Sequence, residues 1–254
     1  METLYLLIFF IFGSVMGSFY HVVATRLSKG RSIIHPGSHC ERCGHRLSWY
    51  ENIPIISFII QGGKCRECKT DLPISYLMME VCTGILFAVC YHVFDFTVDL
   101  IVALIFVSSL ITIIISDIEY MIILDEVLVF AVASIILIYI FSIGIYDTCI
   151  RILYGLASFG VMLLFKKLGD LIFKQESLGG GDIKLMFLIG LVIGIEMAIF
   201  NIFFAAFIAF PIALAFLLVK KDNIIPFGPF LSMGAIILYI WGLTIADIFE
   251  FLIY

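Results

Sequence analysis

The chain has 254 residues, of which 63% are hydrophobic and 14% charged, with a mean hydropathy of +1.16. A soluble domain is about 45–50% apolar and about 25% charged, so this composition excludes an ordinary water-soluble fold. The net charge of −5 says little by itself, because in a membrane protein the placement of charge matters more than its sum.

A helical span needs about 20 apolar residues. Runs of that kind occupy 4–24, 73–94, 100–116, 121–143, 150–165, 183–195, 197–219 and 226–243. They predict an all-α polytopic membrane protein of about eight transmembrane helices, with the lipid bilayer as its first partner. Residues 1–27 read as a retained first transmembrane helix, since no small-residue cleavage site follows the apolar run. Residues 28–72 form the one long polar segment, and 73–254 a transmembrane domain. The sixth run is short, with a break expected at Gly194, and the tail 244–254 spaces Asp247 and Glu250 as a short interfacial helix would. No nucleic-acid partner is expected.

Lys and Arg concentrate in cytoplasmic loops. Eight of the fifteen fall between Arg26 and Lys69, which sets that segment inside. Counting spans onward, Lys166, Lys167, Lys174, Lys184, Lys220 and Lys221 also fall inside, and only Arg151 departs from the pattern. Asp117 then ends the third span, and Asp182 begins the sixth, on the cytoplasmic side.

The polar segment holds Cys40-Glu-Arg-Cys43 and Cys65-Arg-Glu-Cys68. Two such pairs supply four thiolates for one tetrahedral zinc. A cytoplasmic location argues against stable disulfides. Four thiolates leave no open coordination position, so the expectation is a small zinc-ribbon-like domain over 28–72 with a structural metal.

An ionisable residue at the edge of a span is a functional candidate. Asp117 follows Ile113-Ile-Ile-Ser116, with Glu119, Asp125 and Glu126 close by. Asp182 follows Gly179-Gly-Gly181. Glycines beside a carboxylate allow a peptide backbone to approach closely. Two carboxylates sharing one site do not both ionise easily, so one activates water while the other supplies a proton. The alternative is a metal-binding membrane transporter with Asp117 and Asp182 as ion ligands, which places such charges near the midplane in broken helices.

These motifs, in this order, resemble the type IV prepilin peptidases, or leader peptidase/N-methyltransferases. Gly17-Ser-Phe-Tyr-His21 through Arg26 is similar to the family's opening, and the two cysteine pairs match its N-terminal domain, as do Asn52-Ile-Pro54 and Gly63-Lys-Cys-Arg66. Ser116-Asp117 and Gly179-Gly-Gly-Asp-Ile-Lys184 match its two aspartate motifs, and Ile225-Pro-Phe-Gly-Pro-Phe230 the segment before the last span. Three positions depart from the pattern. His21 stands where Asn is commoner, Ser75-Tyr76-Leu77 replaces Arg-Tyr-Pro, and Ile123-Leu124-Asp125 replaces Ile-Pro-Asp.

The resemblance implies a membrane aspartic endopeptidase with Asp117 and Asp182 as the catalytic pair, 73–254 as its peptidase domain and Cys40, Cys43, Cys65 and Cys68 as metal ligands. It would remove basic leaders from type IV prepilin or pseudopilin precursors at the cytoplasmic face of the bacterial cytoplasmic membrane, in pilus, secretion or competence systems. Methylation of the new N-terminus with S-adenosylmethionine is a second implied activity. Glu41, Glu51, Glu67 and Asp71 are candidates to guide a basic leader.

Overall fold

The computed structural model describes residues 1–174, 178–218, 225–243 and 247. The Lys220-Lys221 pair and the expected interfacial tail, apart from Asp247, lie outside the described residues. Among the described residues there are nine α-helices, one short 3-10 helix at Trp49–Asn52 and no strand beyond two isolated bridges.

Among the described residues six helices are long and apolar enough to cross a membrane: α1 (Glu2–Ser28), α3 (Ile74–Phe94), α4 (Val98–Tyr120), α5 (Asp125–Ser142), α6 (Ile145–Phe173) and α8 (Ile195–Leu218). The chain is a multi-pass membrane protein. A five-residue helix, α2 (Ile56–Ile60), sits in the polar segment. The runs at 183–195 and 226–243 fall on α7 (Gly180–Ile193) and α9 (Gly228–Trp241), which have 14 residues each. At about 1.5 Å per residue each covers roughly 21 Å, short of a ~30 Å hydrocarbon core. Hydropathy reports where apolar residues lie, whereas glycine decides where these helices stop. Gly194, at φ 84°, ends α7 at the expected break.

The chain divides into two compact units, Met1–Leu104 and Ile105–Tyr254. In the first, α1 and α3 pack along each other. Small residues permit the approach, as is usual between membrane helices. A Cβ on Gly17 would lie 2.9 Å from the Met79 carbonyl oxygen, and one on Gly84 would lie 2.5 Å from Ser14 Oγ. At one end of the pair, Phe9 stacks on Tyr91 with ring centroids 4.8 Å apart. At the other, His21 lies on Tyr76 at 4.0 Å, and the Arg26 guanidinium donates to the carbonyls of Ser32, Ile33 and Gly37. Those bonds fold the polar segment back onto the helix end.

The second unit is organised around α7, nine of whose fourteen residues are buried. Helices α5, α6, α8 and α9 all pack against it. A Cβ on Gly155 of α6 would lie 2.9 Å from the Phe187 carbonyl oxygen, so α6 and α7 touch backbone to backbone. Arg151 is the exception to the charge pattern, and its surroundings explain it. Its guanidinium donates to the Val192 carbonyl at 2.8 Å and sits 5.4 Å from the centroid of the Tyr139 ring. It satisfies a carbonyl that the end of α7 leaves open, where a cation also suits the helix dipole.

Candidate active site and metal centre

Asp117 lies in the last turn of α4 and Asp182 is the third residue of α7. Each is 6% exposed. Gly228, the first residue of α9, brings them together. A Cβ placed there would lie 2.5 Å from Asp117 Oδ2 and 3.2 Å from Asp182 Oδ1. The sum of those distances bounds the gap between the two oxygens, so both carboxyl groups share one recess. The Gly228 amide faces the Asp117 carboxyl group and the Gly179 amide faces that of Asp182. Asp182 Oδ1 is buried without a hydrogen-bond partner among the described residues.

The surrounding backbone holds this arrangement. Residues 121–124 turn tightly after α4, with Met121 at φ 55°. Ile123 then packs on α7, where a Cβ on Gly181 would lie 2.7 Å from its own Cβ. Lys184 Nζ donates to both oxygens of Asp125 at 2.8 and 2.7 Å, tying the start of α5 to the first turn of α7. The geometry also separates Asp117 from its acidic neighbours, which sequence could not do. Glu119 is exposed, and Asp125 is engaged by Lys184.

The glycine run divides its roles. The space beside Gly181 is filled by Ile123, whereas nothing lies within 4 Å of a Cβ on Gly180. Only the latter leaves room beside the chain. Gly228 is the site residue that the sequence alone does not single out, since the motif Ile225–Phe230 carries no local sign of its role.

In the first unit the four cysteine sulfurs all lie within 4.8 Å of one another. Cys40 and Cys68 are 3.8 Å apart and Cys43 and Cys65 3.9 Å. Tetrahedral zinc with Zn–S bonds of about 2.3 Å needs sulfurs roughly 3.8 Å apart, and a disulfide about 2.05 Å, so the site fits the metal. Cys40 and Cys43 sit on one hairpin, and Cys65 and Cys68 on a second of the same form. The Cys40 amide donates to the His45 carbonyl and the Gly44 amide to that of Cys40; the Cys65 and Lys69 amides donate to Thr70 and Cys65 in the same way. Gly44 and Lys69 take φ of 73° and 57°.

Hydrogen bonds favour the thiolate form of two of the cysteines. The Cys43 and Arg42 amides hold the Cys40 thiol below its usual range, and Thr70, through its side chain and then its amide, lowers Cys68 to about 6. Cys43 goes up to about 11: the His45 amide favours its anion, but burial and three neighbouring sulfurs outweigh it.

The candidate guiding carboxylates do not behave alike. Glu41 and Asp71 pair with Lys29 and Lys64, while Glu51 is buried, its Oε2 receiving the Ser48 amide at 2.8 Å. Glu51 is not a solvated loop charge.

The profile of the type IV leader peptidase family matches residues 104–214, and that of the bacterial peptidase A24 N-terminal domain matches residues 11–94. A prepilin leader peptidase/N-methyltransferase of Bacillus subtilis (strain 168) is 32% identical over 251 residues, covering 95% of this chain and 96% of that protein. The chain belongs to the type IV leader peptidase family. Relatives of the same name are 34% identical in Myxococcus xanthus, over 74% of this chain and 56% of the relative, and 30% identical in Vibrio cholerae, over 83% and 86%. No solved structure matches. In this type IV leader peptidase, Asp117 and Asp182 lie inside the first profile and the four cysteines inside the second, while Gly228 lies beyond both.

Proposed function

We propose that Asp117 and Asp182 are the catalytic pair that hydrolyses the bond joining a basic leader to a type IV prepilin or pseudopilin. The observation that carries this reading is the convergence of two buried carboxyl groups on Gly228, in a chain whose relatives are named leader peptidases. One carboxylate takes a proton from water as it attacks the scissile carbonyl carbon, and the other, protonated, gives its proton to the carbonyl oxygen. Collapse of the tetrahedral intermediate breaks the C–N bond, and the leaving amine takes up a proton from the pair. The transporter alternative loses its support through membership in a peptidase family.

Charge placement supports an orientation with the pair facing the cytoplasm, and the bacterial relatives support a place in the bacterial cytoplasmic membrane. Cys40, Cys43, Cys65 and Cys68 would hold one zinc ion, which closes the polar loop rather than acting on substrate. The name shared by the relatives supports a second activity, in which the new N-terminal amine is methylated from S-adenosylmethionine.

Coexpression with a prepilin, followed by mobility and mass of the product, tests the assignment. Leader removal is expected from the wild type and from neither Asp117→Ala nor Asp182→Ala. Undiminished removal by both variants overturns it.

A further inference from the structure

Part of the polar segment is not polar. From Ile53 to Ile60 the only polar side chain is Ser57. The short helix α2 divides this stretch into two faces. Ser57 and Phe58 turn inward, where with the buried Glu51 and Glu80 they line a cavity of about 560 Å³. Ile56, Ile59 and Ile60 turn outward and are 55%, 65% and 79% exposed. Ile74 and Met78, in the first turns of α3, are exposed to a similar degree at 61% and 56%. Single exposed apolar residues are ordinary, but a cluster on one short helix with a polar opposite side marks a surface that something covers.

The attachment of α2 indicates what covers it. Ile55, the residue before α2, donates its amide to Glu80 Oε2 at 2.7 Å. Glu80 stands six residues in from Ile74, the first residue of α3, or about 9 Å along the helix axis. With 21 residues α3 is about 31 Å long, so crossing a ~30 Å hydrocarbon core takes nearly all of it. The start of α2 is therefore held alongside α3 inside that length, not beyond its end. Helices that lie in a membrane interface bury their apolar face by about 5–10 Å, which is the same depth.

The attachment is also enforced. Ile55 takes φ of 63°, a conformation that a β-branched residue adopts only where its surroundings impose it. At the other end of α2 the Gly63 amide donates to the Phe58 carbonyl and the Leu72 amide to the Gly63 carbonyl, at 2.9 and 2.7 Å. These bonds return the chain to the start of α3 and close the base of the hairpin that carries Cys65 and Cys68.

We propose that α2 is a wedge seated in the bilayer interface, with Ile56, Ile59 and Ile60 at the boundary between lipid headgroups and acyl chains. The partner is the lipid surface itself. Through the Phe58–Gly63–Leu72 bonds the wedge would fix the height of the second cysteine hairpin over the membrane.

The test uses the full-length protein in vesicles of phosphatidylethanolamine and phosphatidylglycerol. A phosphatidylcholine bearing an aryl diazirine in the upper part of one acyl chain is included, and its light-induced adducts are mapped residue by residue by mass spectrometry. Ile34 is the control, being of the same residue type, exposed, and next to carbonyls that Arg26 holds at the end of α1. Ile59 and Ile60 are expected to carry about fivefold more adduct than Ile34 and to match Met78. In Glu80→Ala their labelling is expected to fall about threefold while that of Met78 stays. Labelling of Ile59 and Ile60 within twofold of Ile34 in the wild type overturns the proposal, because water or protein then covers the face. Undiminished labelling in a folded Glu80→Ala overturns the tether from which the depth is argued. Should that variant fail to fold, the wild-type map decides alone.

Discussion

The two units hold their chemistry in opposite ways. In the second, Asp117 and Asp182 are fixed by helices packed so closely that glycine is required where they meet. In the first, the cysteines hang on two matching hairpins in a polar segment with one short 3-10 helix and one five-residue helix. One site is ordered by apolar burial; the other would be closed by the metal proposed for its four cysteines. Damage to each should therefore travel differently.

The largest effect is expected at the aspartates. Asp117→Asn and Asp182→Asn should each lower the rate of leader cleavage by roughly 1,000-fold or more, the upper range for losing an acid–base group, with circular dichroism unchanged. A residual rate near wild type in either variant breaks the proposed pairing. Next comes Gly228→Ala, whose new methyl group would meet Asp117 Oδ2 at 2.5 Å. Pushing the carboxyl groups apart by about 1 Å should cost on the order of 100-fold in kcat, measured on detergent-solubilised protein with a purified prepilin. Gly180→Ala meets open space and should lose less, so equal losses would mean that packing is not what Gly228 protects.

Chelation sharpens the contrast from the other side. Stripping the metal should remove one zinc per chain by elemental analysis and expose residues 29–72 to limited proteolysis, while cleavage of prepilin falls by less than about tenfold. A loss as complete as that of Asp117→Asn would show that the two units are not ordered independently. The smallest change is expected at Lys184→Ala. Its partner is Asp125, and the two side chains are 52% and 59% exposed. An exposed pair is worth about 1 kcal/mol or less, so only a small fall in Tm is expected from thermal melting.

Much of this was legible in the sequence, for identifiable reasons. Apolar runs located every long helix, because burial in lipid demands composition before anything else. The CxxC spacing picked out the four cysteines that cluster, because a hairpin knuckle needs those two positions and little more. Asp182 was marked by its glycines. What stayed hidden depends on contacts between distant segments. Nothing local to Ile225–Phe230 says that Gly228 will sit between two carboxyl groups, and nothing near Glu51 or Glu80 says that they will be buried on one cavity wall. Arg151 breaks the charge rule by position alone, and its contacts with Val192 and Tyr139 account for it.

The shortness of α7 carries one more consequence. A 14-residue helix exposed to lipid would have to thin the bilayer around itself or tilt neighbours to compensate. Here α7 is packed against other helices, including α6 with 29 residues and α8 with 24, both long enough to span a bilayer. It is an interior post whose height is set by its protein neighbours. The depth of Asp182, and with it the point along an incoming helix where the proposed cut would fall, is therefore gauged by the protein and not by the thickness of the membrane in which it happens to sit.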